Sequence, residues 1–397
     1  MRGRKNITII SCLFLIGLLW LSGCGSPSSD STEKTVQSRT ESGQAAPDWN
    51  SLKVEKSMEL LYAENFSVDY YEGGYKLLQT MDGTKILVVP EDKETPQNVD
   101  EETIVLKAPV QNMYLVSSAV MDIFSKLDAI DTLRFSSQTE DNWYVDAASQ
   151  AMEDGSLVYA GKYSKPDYEL IVSEGCSLAI ENSMIFHSPE VIEMLESFDI
   201  PVMVEYSSYE SHPMGRVEWI KFFGALVDRE DEAQRIFDEQ IDILDSVTAN
   251  ENTGKTVVFF YITSNGLVQV RQSNDYIPKM IELAGGKYIF ENLGDSESKR
   301  STMNMQVEEF YNGAKDADYI IYNSTIDGEL SSVDELIDKC PVLADFKAVK
   351  DGNVWCTTND MYQQSMSIGY MINDIHSMLS GGDEDDMTYL FKLVDLQ

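Results

Sequence analysis

Nine side chains, gathered in polar or turn-rich stretches, are of the types that hold a flat, partly charged small molecule. They are Trp143 and Tyr144 in EDNWYVD, Tyr163 in AGKYSKP, Glu210, His212 and Arg216 in YESHPMGR, Arg271 and Tyr276 in GLVQVRQSNDY, and Tyr362 in DMYQQSM. Aromatic rings offer flat apolar area to a macrocycle or catecholate at little entropic cost, and arginine offers a planar fork to carboxylate or phenolate oxygens. Each residue also has a structural use. Trp143 and Tyr144 stand just before a helical pattern, where ordinary packing would account for them. Arg271 lies in a polar loop of a very acidic chain and can pair with a neighbouring carboxylate. Arg216, at the start of a helix, is poorly placed for the macrodipole, which hints at another task unless it pairs with Glu210. His212 can ligate a metal centre axially or hydrogen-bond in the turn that opens its helix.

Much chemistry is absent from the sequence. There is no Gly-x-Ser-x-Gly, His-Glu-x-x-His, Walker glycine loop, Gly-x-Gly-x-x-Gly after a strand, or Cys-x-x-Cys. The only histidines, His187, His212 and His376, sit on separate segments, so a zinc or manganese site built from several of them is disfavoured, and no metal site or cofactor is assigned. The 18 methionines fall mostly at apolar helix positions and read as core filler. A net charge of −37 argues against a nucleic-acid partner held by phosphate neutralisation. A glycosidase needs only two carboxylates, so a lipid-anchored extracellular enzyme of the glycosidase or esterase class remains the alternative, as does a Zn- or Mn-binding protein.

The N-terminus supplies a positive region at Arg2, Arg4 and Lys5 and an apolar run from Ile7 to Leu21, the pattern of a secretory signal. It ends in LSGC, which resembles the bacterial lipobox, with Cys24 as the residue to be diacylated. Residues 1–23 are read as the signal and residues 24–52, rich in Ser and Thr, as a flexible tether. The expected location is the outer face of the cell membrane, held by lipid. Cys176, Cys340 and Cys356 then remain, and an odd number forbids a complete disulfide framework. Three buried thiols are expected, with a Cys340–Cys356 pair as the other possibility.

The elements that must position the candidate residues follow from periodicity. Phe66–Pro90 alternates apolar and polar residues about Gly-containing turns and predicts antiparallel strands. From there strands and helices alternate: TIVLKAP, DTLRFSS, SLAIEN and IPVMVEYS read as strands, and YLVSSAVMDIFSKL, WYVDAASQAMED and SPEVIEMLESFD as helices, the last opened by Ser188 and Pro189. The same grammar resumes at TVVFFYI. Between the two runs, Trp219, Ile220, Phe223, Leu226 and Val227 form one amphipathic pattern, and Ala233, Ile236, Phe237, Ile241 and Leu244 another, divided at an expected Asp228 cap. The fold class is therefore α/β: two Rossmann-like α/β lobes joined by a single long helix, with a ligand cleft between them. The boundaries are 53–227 for the N-terminal lobe, 228–250 for the interdomain helix and 251–397 for the C-terminal lobe.

A lipobox, a tether and two α/β lobes joined by one helix resemble the class III substrate-binding proteins of ABC importers, which deliver iron siderophores, haem, corrinoids and some metal ions. Local runs carry the resemblance in order: GKYSKPDYELIVSEGCSLAI, FDIPVMVEYS, IELAGGKYIFENL and FKAVKDGNVW. It implies a monomeric carrier, not an enzyme, that takes a small-molecule metal chelate containing iron or cobalt and passes it to an ABC permease in the membrane. It also implies one acidic docking residue on each lobe, at Glu169 in PDYE and at Glu308 or Glu309 in QVEEFY.

Overall fold

The computed structural model describes residues 46–294 and 300–395. The signal, Cys24 and most of the tether lie outside the described residues.

The chain first builds a sheet of its own from β1 (Val54–Ser57), β2 (Phe66–Tyr71), β3 (Lys76–Thr80), β4 (Lys85–Val89) and β5 (Ile104–Lys107), in that spatial order. All neighbours are antiparallel except β4 and β5. Residues at every second position, Leu78 on β3 with Ile86 and Val88 on β4, face the main core. Leu87 and Val89 point the other way and are covered by Tyr75, Trp49 and Leu52, so β4 is apolar on both faces.

The N-terminal lobe proper follows with β6 (Met113–Leu115), α1 (Ser118–Lys126), β7 (Leu133–Ser136), α2 (Asp146–Glu153), β8 (Val158–Tyr159), a small hairpin of β9 (Gly161–Lys162) and β10 (Lys165–Pro166), α3 (Tyr168–Ser173), β11 (Ala179–Glu181), α4 (Pro189–Ser197) and β12 (Val202–Val204). Its sheet runs β12-β11-β6-β7-β8, all parallel. The expected helix beginning at Tyr114 is therefore two elements, because Met113–Leu115 is the central strand and is buried throughout. The order places α1 and α2 on one face and α3 and α4 on the other, since parallel crossovers are right-handed and the chain reverses direction after β8. Ring contacts agree: Phe124 of α1 meets Phe223 at 5.4 Å, and Tyr168 of α3 meets Phe198 after α4 at 6.2 Å.

Two helices come next, α5 (Pro213–Leu226) and α6 (Glu230–Thr248). Only α6 is amphipathic as expected. Every residue of α5 except Arg216 is buried, because the helix is enclosed on all sides. Gly224 permits this, as a Cβ there would stand 2.6 Å from the Cβ of Ala233 on α6. Asp228 does not cap α6. It takes a left-handed conformation with φ 57°, Arg229 occupies the cap position, and the Asp228 carboxylate is 2.6 Å from the Lys76 ammonium on β3.

Buried carboxylates on and beside α5 tie the first sheet down. Glu218 accepts the backbone N–H groups of Leu61, Tyr62 and Ala63 and lies 2.9 Å from the Lys221 ammonium. Glu210 accepts the N–H groups of Glu64 and Asn65 and the indole N–H of Trp219. An ion pair without water is tolerated only when its remaining lone pairs are filled, and here backbone donors fill them.

The C-terminal lobe comprises β13 (Thr256–Ile262), β14 (Val268–Arg271), α7 (Tyr276–Leu283), β15 (Lys287–Tyr288), β16 (Thr302–Met305), α8 (Val307–Ala314), β17 (Tyr319–Tyr322), α9 (Val333–Lys339), α10 (Lys347–Lys350), β18 (Val354–Thr357), α11 (Ile368–Ser380) and β19 (Leu390–Lys392). The sheet order is β16-β14-β13-β17-β18-β19, with β15 beside the start of β13. Parallel β13, β17 and β18 are its centre, and β14, β16 and β19 are antiparallel additions. Val258, Phe260, Ile320 and Tyr322 face a core with Phe310 of α8 and Leu336 of α9. Val257, Phe259 and Ile321 face the other way, into a core that continues through α7 and α11 to the N-terminal lobe. Gly285 stops α7 with φ 87°. Cys176, Cys340 and Cys356 are free and buried, and burial pushes the Cys176 thiol up to about 11 and the Cys356 thiol up to about 12.

Candidate functional site

The seam between the lobes is where α5 begins. His212 is the cap of α5, its Nδ1 accepting the N–H of Met214 at 3.1 Å, and its ring stacks on Tyr62. Burial, with Lys279 nearby, holds the imidazole below its ordinary range, which keeps that nitrogen an acceptor. Of its two sequence readings, the structure displays the turn hydrogen bond. A groove of about 610 Å³ opens beside it, between Ser211 and His212 on one side and Asn274, Asp275 and Lys279 on the other.

One turn into α5, Arg216 reaches across the seam. Its guanidinium lies 3.7 Å over the ring of Tyr276, the first residue of α7. Its nitrogens donate only to backbone carbonyls, Ser208 at 2.5 Å and Glu210 at 3.3 Å. Glu210 therefore meets Arg216 through its carbonyl while its carboxylate is engaged elsewhere, and Arg216 forms no ion pair among the described residues.

Arg271 approaches the same ring from the C-terminal lobe. It is the last residue of β14, a strand where the sequence suggested a polar loop, and only 11 % of its side chain is exposed. Nη2 donates to the hydroxyl of Tyr362, Nη1 is 3.6 Å from Asp275, and the guanidinium stands 5.7 Å from the centre of the Phe259 ring. Tyr288 fixes the backbone beneath it by accepting the Arg271 N–H and donating to the Arg271 carbonyl. Burial raises the Tyr276 hydroxyl above its ordinary pKa, and Arg216 and Arg271 both act to lower it, which places two guanidiniums around one phenol. The Tyr362 oxygen also receives the side-chain N–H of Asn323, at the carboxyl end of β17.

Four of the nine candidates, Arg216, Arg271, Tyr276 and Tyr362, are thus one cluster. Trp143 is not part of it: the indole is buried and donates to Ser136 at 3.2 Å. Glu210 is likewise engaged in holding the first sheet, and burial lifts its carboxyl above the usual range. Tyr144 is exposed on the loop after β7, and Tyr163 is half-buried at the turn of the β9–β10 hairpin.

Sequence reasoning passed over several neighbours. Gln363 donates to the Asn142 carbonyl and accepts the Tyr144 N–H, so the residue after Tyr362 ties the lobes together. Ser365 and Met366 continue the tie, to the Ala119 carbonyl and the Asp122 carboxylate of α1. Met184 and Phe186 after β11, and Ile326 after β17, are large apolar side chains left exposed beyond strand carboxyl ends. Polar residues directly after apolar strands, as in YIIYN, were the available signal for Asn323.

A pair of α/β sheets with a polar cluster at their seam matches a known plan, and a sequence model of the periplasmic binding proteins matches residues 116–361. The chain belongs to the periplasmic binding protein family. As the family is one of binding proteins, the enzyme alternative is set aside. An uncharacterized lipoprotein of Methanocaldococcus jannaschii is 26% identical over 408 residues, covering 98% of this chain and 100% of the relative. Among solved structures, an ABC transporter substrate-binding protein from Listeria monocytogenes superposes with a TM-score of 0.53 at 18% identity, over 68% of this chain and 99% of its own. The periplasmic haem-binding protein HutB of Vibrio cholerae gives 0.55 at 17% identity, over 68% and 98%. The sheet of β1–β5 precedes the residues matched by the family model, so this periplasmic binding protein carries it in addition.

Proposed function

We propose that this periplasmic binding protein is the lipid-anchored solute-binding component of an ABC importer and takes a small iron complex, a siderophore chelate or haem, or else a corrinoid, between its lobes. The observation that carries the reading is the convergence of Arg216 and Arg271, one from each lobe, on Tyr276. In a chain with 67 acidic and 30 basic side chains, an interlobe guanidinium with no carboxylate partner is suited to oxygen atoms brought by a ligand. Carboxylate, phenolate or propionate oxygens fit its fork, and the rings of Tyr276 and Tyr362 supply flat apolar area. Small relative movement of the lobes is expected, because α6 and the Gln363–Met366 ties both resist it. The printed descriptions of the Listeria and Vibrio proteins support the importer and the cargo class.

Delivery is assigned to Glu169 and Glu308. Asp167 caps α3 and Gln306 caps α8, so Glu169 and Glu308 each occupy the second helical position and are exposed. That shared register favours Glu308 over Glu309. Titrating the full-length protein with haem, a ferric trihydroxamate and a corrinoid tests the reading, with saturation by one of them expected and indifference to all of them fatal to it.

A further inference from the structure

We propose that the outer faces of α3 and α4 form one docking surface, an apolar stripe inside an acidic rim, and that it fits a basic, apolar-centred surface of the importer's permease. The proposal rests on the importer reading above. Tyr168 and Val172 are four residues apart on α3 and share a face, and Met194 and Phe198 do the same along α4 and its end. The 6.2 Å contact between the Tyr168 and Phe198 rings joins the two pairs into a continuous stripe. Val172, Met194 and Phe198 are 42%, 44% and 44% exposed, so three large apolar side chains stand together in water. On α8, which carries Glu308, the apolar residues Val307, Phe310, Tyr311 and Ala314 are all buried or half-buried.

The rim identifies the occupant. Asp167, Glu169, Glu174, Glu190, Glu193 and Glu196 are exposed around the stripe, and neither helix contains a lysine or arginine. Arg134 pairs with Glu174 at one end, and Lys162 and Lys165 lie on the preceding hairpin. A bilayer with anionic headgroups is repelled by such a rim, and a second copy would set like charges against like. A protein with arginine or lysine around an apolar centre satisfies both parts: the rim steers encounter and the stripe, once covered, holds the complex. Glu169 follows Tyr168 directly, so the stripe is continuous with the residue already assigned to the permease.

The test uses the full-length protein against the permease of the same organism in lipid nanodiscs, with phosphatidylglycerol vesicles and sedimentation velocity in parallel. The Val172→Ser/Phe198→Ser variant should bind the permease about tenfold more weakly or worse, with an unchanged melting temperature and unchanged partition to vesicles. Equal binding by the variant, while Glu169→Arg abolishes it, overturns the stripe and leaves the importer reading standing. Loss of vesicle partition or of self-association in the variant instead assigns the stripe to lipid or to a second copy, and also overturns it. If the unaltered protein does not bind the permease, the importer reading and the stripe fall together.

Discussion

The Arg216 guanidinium lies 3.7 Å from the centre of the Tyr276 ring, fastening the first turn of α5 to the first residue of α7 across the seam between the lobes. Lysine keeps the charge at this position but loses the planar stacking surface and the fork. We expect Arg216→Lys to weaken binding of the iron complex about tenfold in a tryptophan fluorescence titration. Unchanged affinity would remove Arg216 from the site.

Tyr362 offers its oxygen to Arg271 and Asn323 together. Tyr362→Phe keeps the ring and strands both donors, so a loss of about tenfold in ligand affinity is expected, measured in the same titration. Trp143→Phe, which breaks only the bond to Ser136, should leave affinity unchanged and lower stability by about 1 kcal/mol in urea unfolding. Reversal of those two outcomes would move the site from the C-terminal lobe to the loop after β7.

The buried Glu218–Lys221 pair holds the segment before β2 on α5. Removing one charge strands the other, which costs about 3–5 kcal/mol. Urea unfolding of Glu218→Gln should show that loss, and Glu218→Gln/Lys221→Met should recover part of it. A double variant no more stable than the single one would mean that the backbone donors, not the stranded ammonium, dominate.

Glu181, at the carboxyl end of β11, is fully buried, and neither carboxylate oxygen has a hydrogen-bond partner. Burial pushes it from an ordinary 4.5 up to about 8. Between those values the folded chain holds a proton that the unfolded chain has released, so the stability present below the lower value is lost as pH rises toward the upper one. The slope is about 1.4 kcal/mol per pH unit at most. Glu181→Gln cannot ionise and should gain on the unaltered protein as pH rises from about 5 to about 7.5. A stability difference that stays flat between those two pH values would show Glu181 to be solvated or paired.

How much of this was legible in the sequence depends on whether a residue's surroundings are local. The pairing of Ser188 with Pro189 opened α4 as read, Gly285 ended α7, and the break between α5 and α6 fell where the periodicity divided. Burial of α5 was not legible, because Glu218 and Lys221 at a spacing of three look like a solvent face. Only their meeting with residues 61–63, more than 150 positions away in sequence, makes that face interior. β14, β16 and β19 were missed because short antiparallel edges carry few apolar residues, and β14 is the strand that delivers Arg271. The four clustered candidates lie on four segments, and their convergence is a property of the two sheets together. Trp143, Glu210 and His212 had the right chemistry, but hydrogen bonds within the N-terminal lobe engage them.

The most direct test of the central claim, that a chelate is gripped by arginines from both lobes, is one titration run on two proteins. Full-length protein and its Arg216→Ala/Arg271→Ala variant would each be titrated with haem, a ferric trihydroxamate and a corrinoid under tryptophan fluorescence. One ligand should saturate the unaltered protein at an equimolar ratio, and the variant should bind it at least about a hundredfold more weakly. Equal affinity in both proteins, or no saturation by any of the ligands, would contradict the account.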